Sequence, residues 1–286
     1  MRAAIRQNRH DFAGALADFA RALAADFGDP RALAGKAGVL LTQGRPEAAL
    51  PLRARLARHA AGIAGTVCEA AALGRLGKAQ AGFTLLGTTL VRSDAPPPEL
   101  EAWAQVELAE LAVLTGQPAA AEHYLRAALR LQPEDAYAAT ALADLLLDQE
   151  RPEVALAVVD DDLRHDGKLL RAAIALRRLD DPRWRERAAL LAERFGAARE
   201  RGESLHRRDE AHFLLELDDA PEAALRLAVL NWQTQREPAD ARLLLAASLV
   251  ADRPEAAAPV IAWLAATGFS DPRLEPWLAR LRGGPA

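Results

Sequence analysis

The chain has 286 residues and a formal net charge of −4; 51% of its residues are hydrophobic but only 5% are aromatic. Its single cysteine, Cys68, excludes an internal disulfide framework and a cysteine-based zinc site. No apolar run approaches the ~20 residues that span a bilayer, so no membrane insertion is expected, and "MRAAIRQNRHDF" lacks the apolar core of a signal peptide. Alanine makes up roughly a quarter of the chain, a composition that favours helices packed at close range. Lysine occurs only at Lys36, Lys78 and Lys168, and the arginine excess points to a GC-rich bacterial coding bias. As given, the chain reads as soluble and cytoplasmic; a removed upstream export signal would make it periplasmic.

In chain order, turn signals stand at His10, Gly44, Gly77, Gly116, Glu150, Asp180, Asp219 and Asp252, each between two stretches of helical apolar spacing. The steps between them are 34, 33, 39, 34, 30, 39 and 33 residues. Two residues past the turn stands Pro46, Pro118, Pro152, Pro182, Pro221 or Pro254, where a missing N–H suits the first turn of a helix. Five past it stands Ala15, Ala49, Gly82, Ala121, Ala155, Ala224 or Ala257; only Arg185 departs. Seven before it stands Ala3, Ala37, Ala70, Ala109, Ala143 or Ala173, with His212 and Leu245 as exceptions. Small residues in phase at both depths are what two helices need in order to cross closely.

The first hairpin starts about five residues short of the register of the others, which predicts a truncated or frayed first unit. "SDAPPPE" (93–99) predicts a proline-rich link between an N-terminal and a central set of hairpins. "RWRERAALLAERFGAARERG" predicts an extended second helix. "NWQTQREPADARLLL" and "VIAWLAATGFSDPRLEPWLARL" predict a closing hairpin and a capping helix, with Trp232, Trp263 and Trp277 sealing apolar surface.

A two-helix unit near 34 residues with these columns resembles the tetratricopeptide repeat (TPR), best in "AWAQVELAELAVLTGQPAAAEHYLRAALRLQPEDA". The resemblance implies an all-α, right-handed superhelical solenoid of about seven to eight TPR-like hairpins. Its expected parts are repeats at 1–92, the link at 93–99, central repeats at 100–165, further repeats at 166–266, and a cap and tail at 267–286. It also implies a non-catalytic scaffold that binds a protein or peptide in its concave groove; a dedicated accessory subunit of an enzyme or envelope assembly is the alternative.

In TPR proteins the first helix of each pair lines that groove. Carried onto this sequence, its columns supply Trp103, Val106, Glu110 and Val113, then Tyr137, Thr140, Asp144, Leu147 and Asp148. Further on they supply Arg177, Arg178, His206, Asp209, Phe213 and Glu216. Charge is blocked along the chain: about +6 over 1–78, −11 over 79–163, +6 over 164–208 and −5 over 209–286. Aromatics among carboxylates in the acidic block suit a basic or amphipathic partner segment. The acidic tail taken by carboxylate-clamp TPR proteins would be repelled.

No chemistry emerges elsewhere. "GRLGKAQAG" has glycines but not the spacing of a phosphate loop. In "SLHRRDEAHF", His206 and Asp209 share a helical face, but His212 lies well round from His206. No catalytic, metal or cofactor site is therefore expected. The basic stretch 177–208 interleaves arginine with carboxylates and nearly lacks stacking aromatics, so no nucleic acid is expected either.

Overall fold

The computed structural model describes residues 1–59, 62–160, 162–202 and 207–283. Among the described residues there are seventeen α-helices and two short 3-10 turns, and no strand. They form eight consecutive antiparallel hairpins: α1 (Arg2–Asn8) with α2 (Phe12–Ala25), α3 (Pro30–Thr42) with α4 (Pro46–His59), α5 (Gly62–Arg75) with α6 (Ala79–Arg92), and α7 (Pro98–Leu114) with α8 (Pro118–Leu131). Next come α9 (Ala136–Asp148) with α10 (Pro152–Val159), α11 (Asp166–Arg178) with α12 (Trp184–Glu200), α13 (Arg207–Glu216) with α14 (Pro221–Trp232), and α15 (Pro238–Val250) with α16 (Ala258–Thr267). A final helix, α17 (Glu275–Leu281), packs back on α15 as a cap.

All eight turn residues read from the sequence have left-handed backbone, with φ between 47° at Asp219 and 72° at Gly116. At seven of them the following N–H donates to the carbonyl five residues back, as from Gln117 to Ala112 (2.8 Å) and from Arg45 to Leu40 (2.9 Å). This closure satisfies a helix's last carbonyls while reversing the chain. At Asp219 the bond from Ala220 reaches one residue further, to Leu214.

The small-residue columns meet where the paired helices cross. Ala15, Ala121, Ala155, Ala224 and Ala257 are inaccessible, and so are their counterparts Ala37, Ala70, Ala143 and Ala173. A Cβ on Gly82 would stand 2.8 Å from the carbonyl oxygen of Ala70, so α5 and α6 approach at backbone distance. Each second helix also packs on the first helix of the next pair, except after the long α12, which meets α13 through the rings of Phe195 and Phe213 and the Arg199–Glu210 ion pair. The packing continues across the proline-rich link, since Leu86 and Leu108 share one apolar cluster.

Curvature brings the two ends of this array together. The Arg236 N–H donates to the Thr42 carbonyl (2.8 Å), the Thr42 hydroxyl donates to Glu237 (3.2 Å), and the Gln235 amide meets the His10 ring (2.9 Å). Gly77 lies against the backbone of Gly268, and Gly116 faces Pro272. Trp232 and Trp263 pack edge to face at this junction, both buried, with Phe269 against Trp263. The turns of the early hairpins therefore rest on the last two, and the solenoid closes on itself.

Gly77 and Gly116 separate turn strain from closure. Both have φ near +70°, where alanine costs roughly 1–2 kcal/mol. A methyl on Gly116 meets only Pro272 at 3.7 Å, whereas one on Gly77 overlaps the Gly268 carbonyl oxygen. Gly77→Ala is expected to lower the unfolding free energy by at least 1 kcal/mol more than Gly116→Ala, with a larger radius of gyration in solution scattering. Equal losses and unchanged scattering would show that closure does not bear on this contact.

Candidate functional site

The first helices of the hairpins face inward, and their inner side chains bound two clefts. One, of about 350 Å³, lies between α3, α5, α7 and the start of α9. The other, of about 550 Å³, lies between α9, α11, α13 and α15 and is bounded at one end by Arg273 and Trp277. The Arg208–Glu237 ion pair (2.5 Å) stands between them, with Arg208 lining the larger cleft and Glu237 the smaller.

Trp103, Val106, Glu110 and Tyr137 all line the smaller cleft. Trp103 is partly buried and bridges two apolar clusters, while Tyr137 is 55% exposed and donates its hydroxyl to Glu110. The same walls carry the carboxyl groups of Glu107, Asp135 and Glu237 and one guanidinium, that of Arg75. Asp135 caps α9 through the amides of Tyr137 (2.9 Å) and Ala138 (3.1 Å). Arg75 is buried and reaches Glu110 at 3.6 Å. Glu107 is only 7% exposed, and its Oε1 has no hydrogen-bond partner. Burial first, and then the Glu110 carboxylate, push the Glu107 carboxyl up to about 8 against the pull of Arg75. Burial and then Glu107 push the Cys68 thiol up to about 12, which leaves it a poor nucleophile.

The larger cleft holds Asp144, Asp148 and Arg177. Here nearly every charge already has a partner. Arg171, buried on α11, grips Asp144 with two bonds of 2.9 Å and Asp209 with one of 2.8 Å. Burial disfavours their charged forms, yet Arg171 holds both carboxyls below the ordinary range. Arg242 clasps Asp148 at 2.5 and 2.6 Å, and Arg177 reaches Asp219 at 3.2 Å. Burial, and then Arg171, lower the His212 imidazole below its ordinary value, so a largely neutral ring lines this wall. Between the ion pairs the surface is apolar: Leu147, Ile174, Leu215, Leu243, Val250 and Trp277.

Of the described groove residues expected from the sequence, Val113, Thr140, Asp209 and Phe213 do not line these cavities. The Thr140 hydroxyl donates to its own helix at Ala136 (2.9 Å), and Phe213 is buried edge-on against Phe195 in the core. His206 lies outside the described residues. Glu107, Arg75, Arg208 and Arg242 are additional lining groups, and Glu107 carried a signal: a carboxylate among the apolar positions of "AWAQVELAELAVL". Among the described residues no group of three or more His, Cys, Asp or Glu is placed to hold a metal, and no helix is long and apolar enough to cross a membrane.

No family model and no curated protein matches the sequence. Among solved structures, a chain of the APC/C hetero-tetramer Cut9–Hcn1 superposes with a TM-score of 0.57 at 12% identity, over 98% of this chain. The match takes in 54% of that chain, so this protein spans about half its length. The TPR domain of P58(IPK) aligns over 98% of this chain and 95% of its own at 16% identity, with a TM-score of 0.29. The likeness to the Cut9–Hcn1 chain concerns fold alone.

A buried carboxyl near 8 has a consequence for stability. Between the ordinary carboxylate value of about 4.3 and 8, the native state holds a proton that the unfolded chain has released, so stability falls as pH rises through that window. Unfolding of the parent and of Glu107→Gln between pH 5 and pH 9 should give curves that lie closest at the acid end. The variant should become more stable than the parent, by on the order of a few kcal/mol, toward pH 8 and above. Curves that stay parallel would mean that Glu107 titrates as an exposed acid.

Proposed function

From a chain that folds as a solenoid of tetratricopeptide-type hairpins, we propose that the protein is a binding scaffold that holds a basic, amphipathic segment of a partner along its inner surface. One observation carries the reading. The smaller cleft sets Trp103 and Tyr137 among four carboxyl groups and a single arginine. Long-range attraction guides a basic segment there, and the aromatic pair supplies desolvated contact area. The larger cleft, with its charges paired and its gaps apolar, suits the hydrophobic residues of the same segment. The segment thus runs with its basic end beside α7 and its apolar residues between α11 and α15.

Selection of random twelve-residue peptides on the full chain tests this. Enriched peptides should combine Lys or Arg with Leu, Ile or Phe, and their affinity should fall as salt screens charges beyond about 8–10 Å. Tyr137→Ala is the cleaner probe, because its ring is more than half exposed while Trp103 also supports the core. It should weaken the enriched peptides about tenfold or more at every salt concentration. Enrichment of acidic peptides, or binding indifferent to Tyr137→Ala and to Trp103→Ala, would refute the groove. Isolation of one stoichiometric protein that ignores free peptides would favour a fixed accessory subunit.

A further inference from the structure

Among the carboxyl groups of the smaller cleft, Glu107 stands apart. Glu110 receives the Tyr137 hydroxyl and faces Arg75, Glu237 is bonded by Arg208 and Thr42, and Asp135 caps α9. Glu107 is more than nine-tenths buried, lines the cleft, and presents an Oε1 with no donor. Buried carboxyl oxygens are nearly always bonded, so an unbonded carboxyl group in the wall of a cleft is an acceptor for a donor that enters it.

We infer that Glu107 is the receptor for one lysine side chain of the bound segment, whose ammonium enters the smaller cleft and donates to the Glu107 carboxylate. This rests on the groove reading above and adds to it a single anchoring contact. The surroundings select the donor. A compact ammonium carries three donors at one point and a flexible four-carbon stem, which the Trp103 and Tyr137 rings in the same walls can cover. The other carboxyl groups raise the local concentration of cations, while Arg75 supplies the one opposing charge.

The contact is coupled to protons. Facing Glu107 in the cleft are Cys68 and Arg75 on α5, Glu110 on α7, Asp135 and Tyr137 at the start of α9, and Glu237 ahead of α15; α6 and α8 contribute no titratable group to the lining. Without a ligand, burial and Glu110 favour the protonated carboxyl, whose ordinary value is raised to about 8. An arriving ammonium favours the carboxylate, so binding releases a proton, and affinity rises with pH while the lysine itself stays charged.

Two probes test this on the full chain: n-butylammonium, which is the lysine side chain alone, and pairs of the enriched peptides with lysine free or acetylated. Acetylation should weaken the peptides tenfold or more against the parent and make no difference against Glu107→Gln. Affinity for the unacetylated peptides should rise about 30-fold between pH 6.5 and pH 9, as the carboxyl fraction ionised at a value near 8 increases. Glu107→Gln should abolish that rise, and the parent should release protons in calorimetry across buffers. n-Butylammonium should shift the Trp103 indole N–H resonance of the parent but not of Glu107→Gln. Peptides that bind through Tyr137 with no preference for free lysine would overturn this inference and leave the groove standing. Binding of n-butylammonium with no peptide of any charge retained would show a free-amine site and overturn the lysine anchor. Silence from both probes would remove the site and the groove together.

Discussion

Everything in this molecule follows from how closely two helices of one hairpin can cross. Where Gly82 meets the Ala70 carbonyl there is no room for a single methyl group, and the alanine columns repeat that approach along the chain. Close crossing shortens the distance between successive units and sets the angle at which each is added. A small change in that angle, repeated eight times, would move the last hairpin away from the first. The contacts of Thr42, His10 and Gly77 with residues 235–237 and 268 depend on this accumulated geometry.

The inward curvature also accounts for the ion pairs. Bending the array crowds the inner helices, so charged side chains that would be solvated on an open groove face one another. Arg171 joins three neighbouring inner helices through Asp144 and Asp209, and Arg242 reaches Asp148 across 94 residues of sequence. Arg208 binds Asp240, which also accepts from Asn231 at 2.7 Å. Pairs of this kind contribute little net stability compared with apolar packing, but removing one partner leaves a buried charge uncompensated. They therefore hold the inner helices in one register more than they drive folding.

The hairpins were legible because their signals are local. A left-handed turn residue, a proline two places on and a small residue at fixed depth each act within one unit, and all eight turns fall where those signals stand. The groove was legible only in part. Helical phase places Trp103, Val106, Glu110 and Tyr137 around one cavity, but Phe213 turns into the core, where the long α12 offers Phe195 as a partner. Nor does a net charge of −11 over residues 79–163 reveal which carboxylates are free, because the partners of Asp144, Asp148 and Asp160 lie in other blocks. Asp144 and Asp148 are neutralised from α11 and α15, whereas Glu107 is left without a donor. That distinction depends on superhelical pitch, which no single repeat records.

An open solenoid tolerates changes in repeat number, since each unit answers only to its neighbours. Closure removes that freedom. With the Arg236 amide bonded to the Thr42 carbonyl, the array behaves less like a spring and more like a clasped bracelet of set link number. Inserting or deleting one hairpin would rotate the final segment past its seat on the early turns, so copy number is itself under structural constraint. Fraying from either end, the usual first step in the melting of a repeat protein, would have to begin by undoing the clasp, and the two terminal units would lose their protection together.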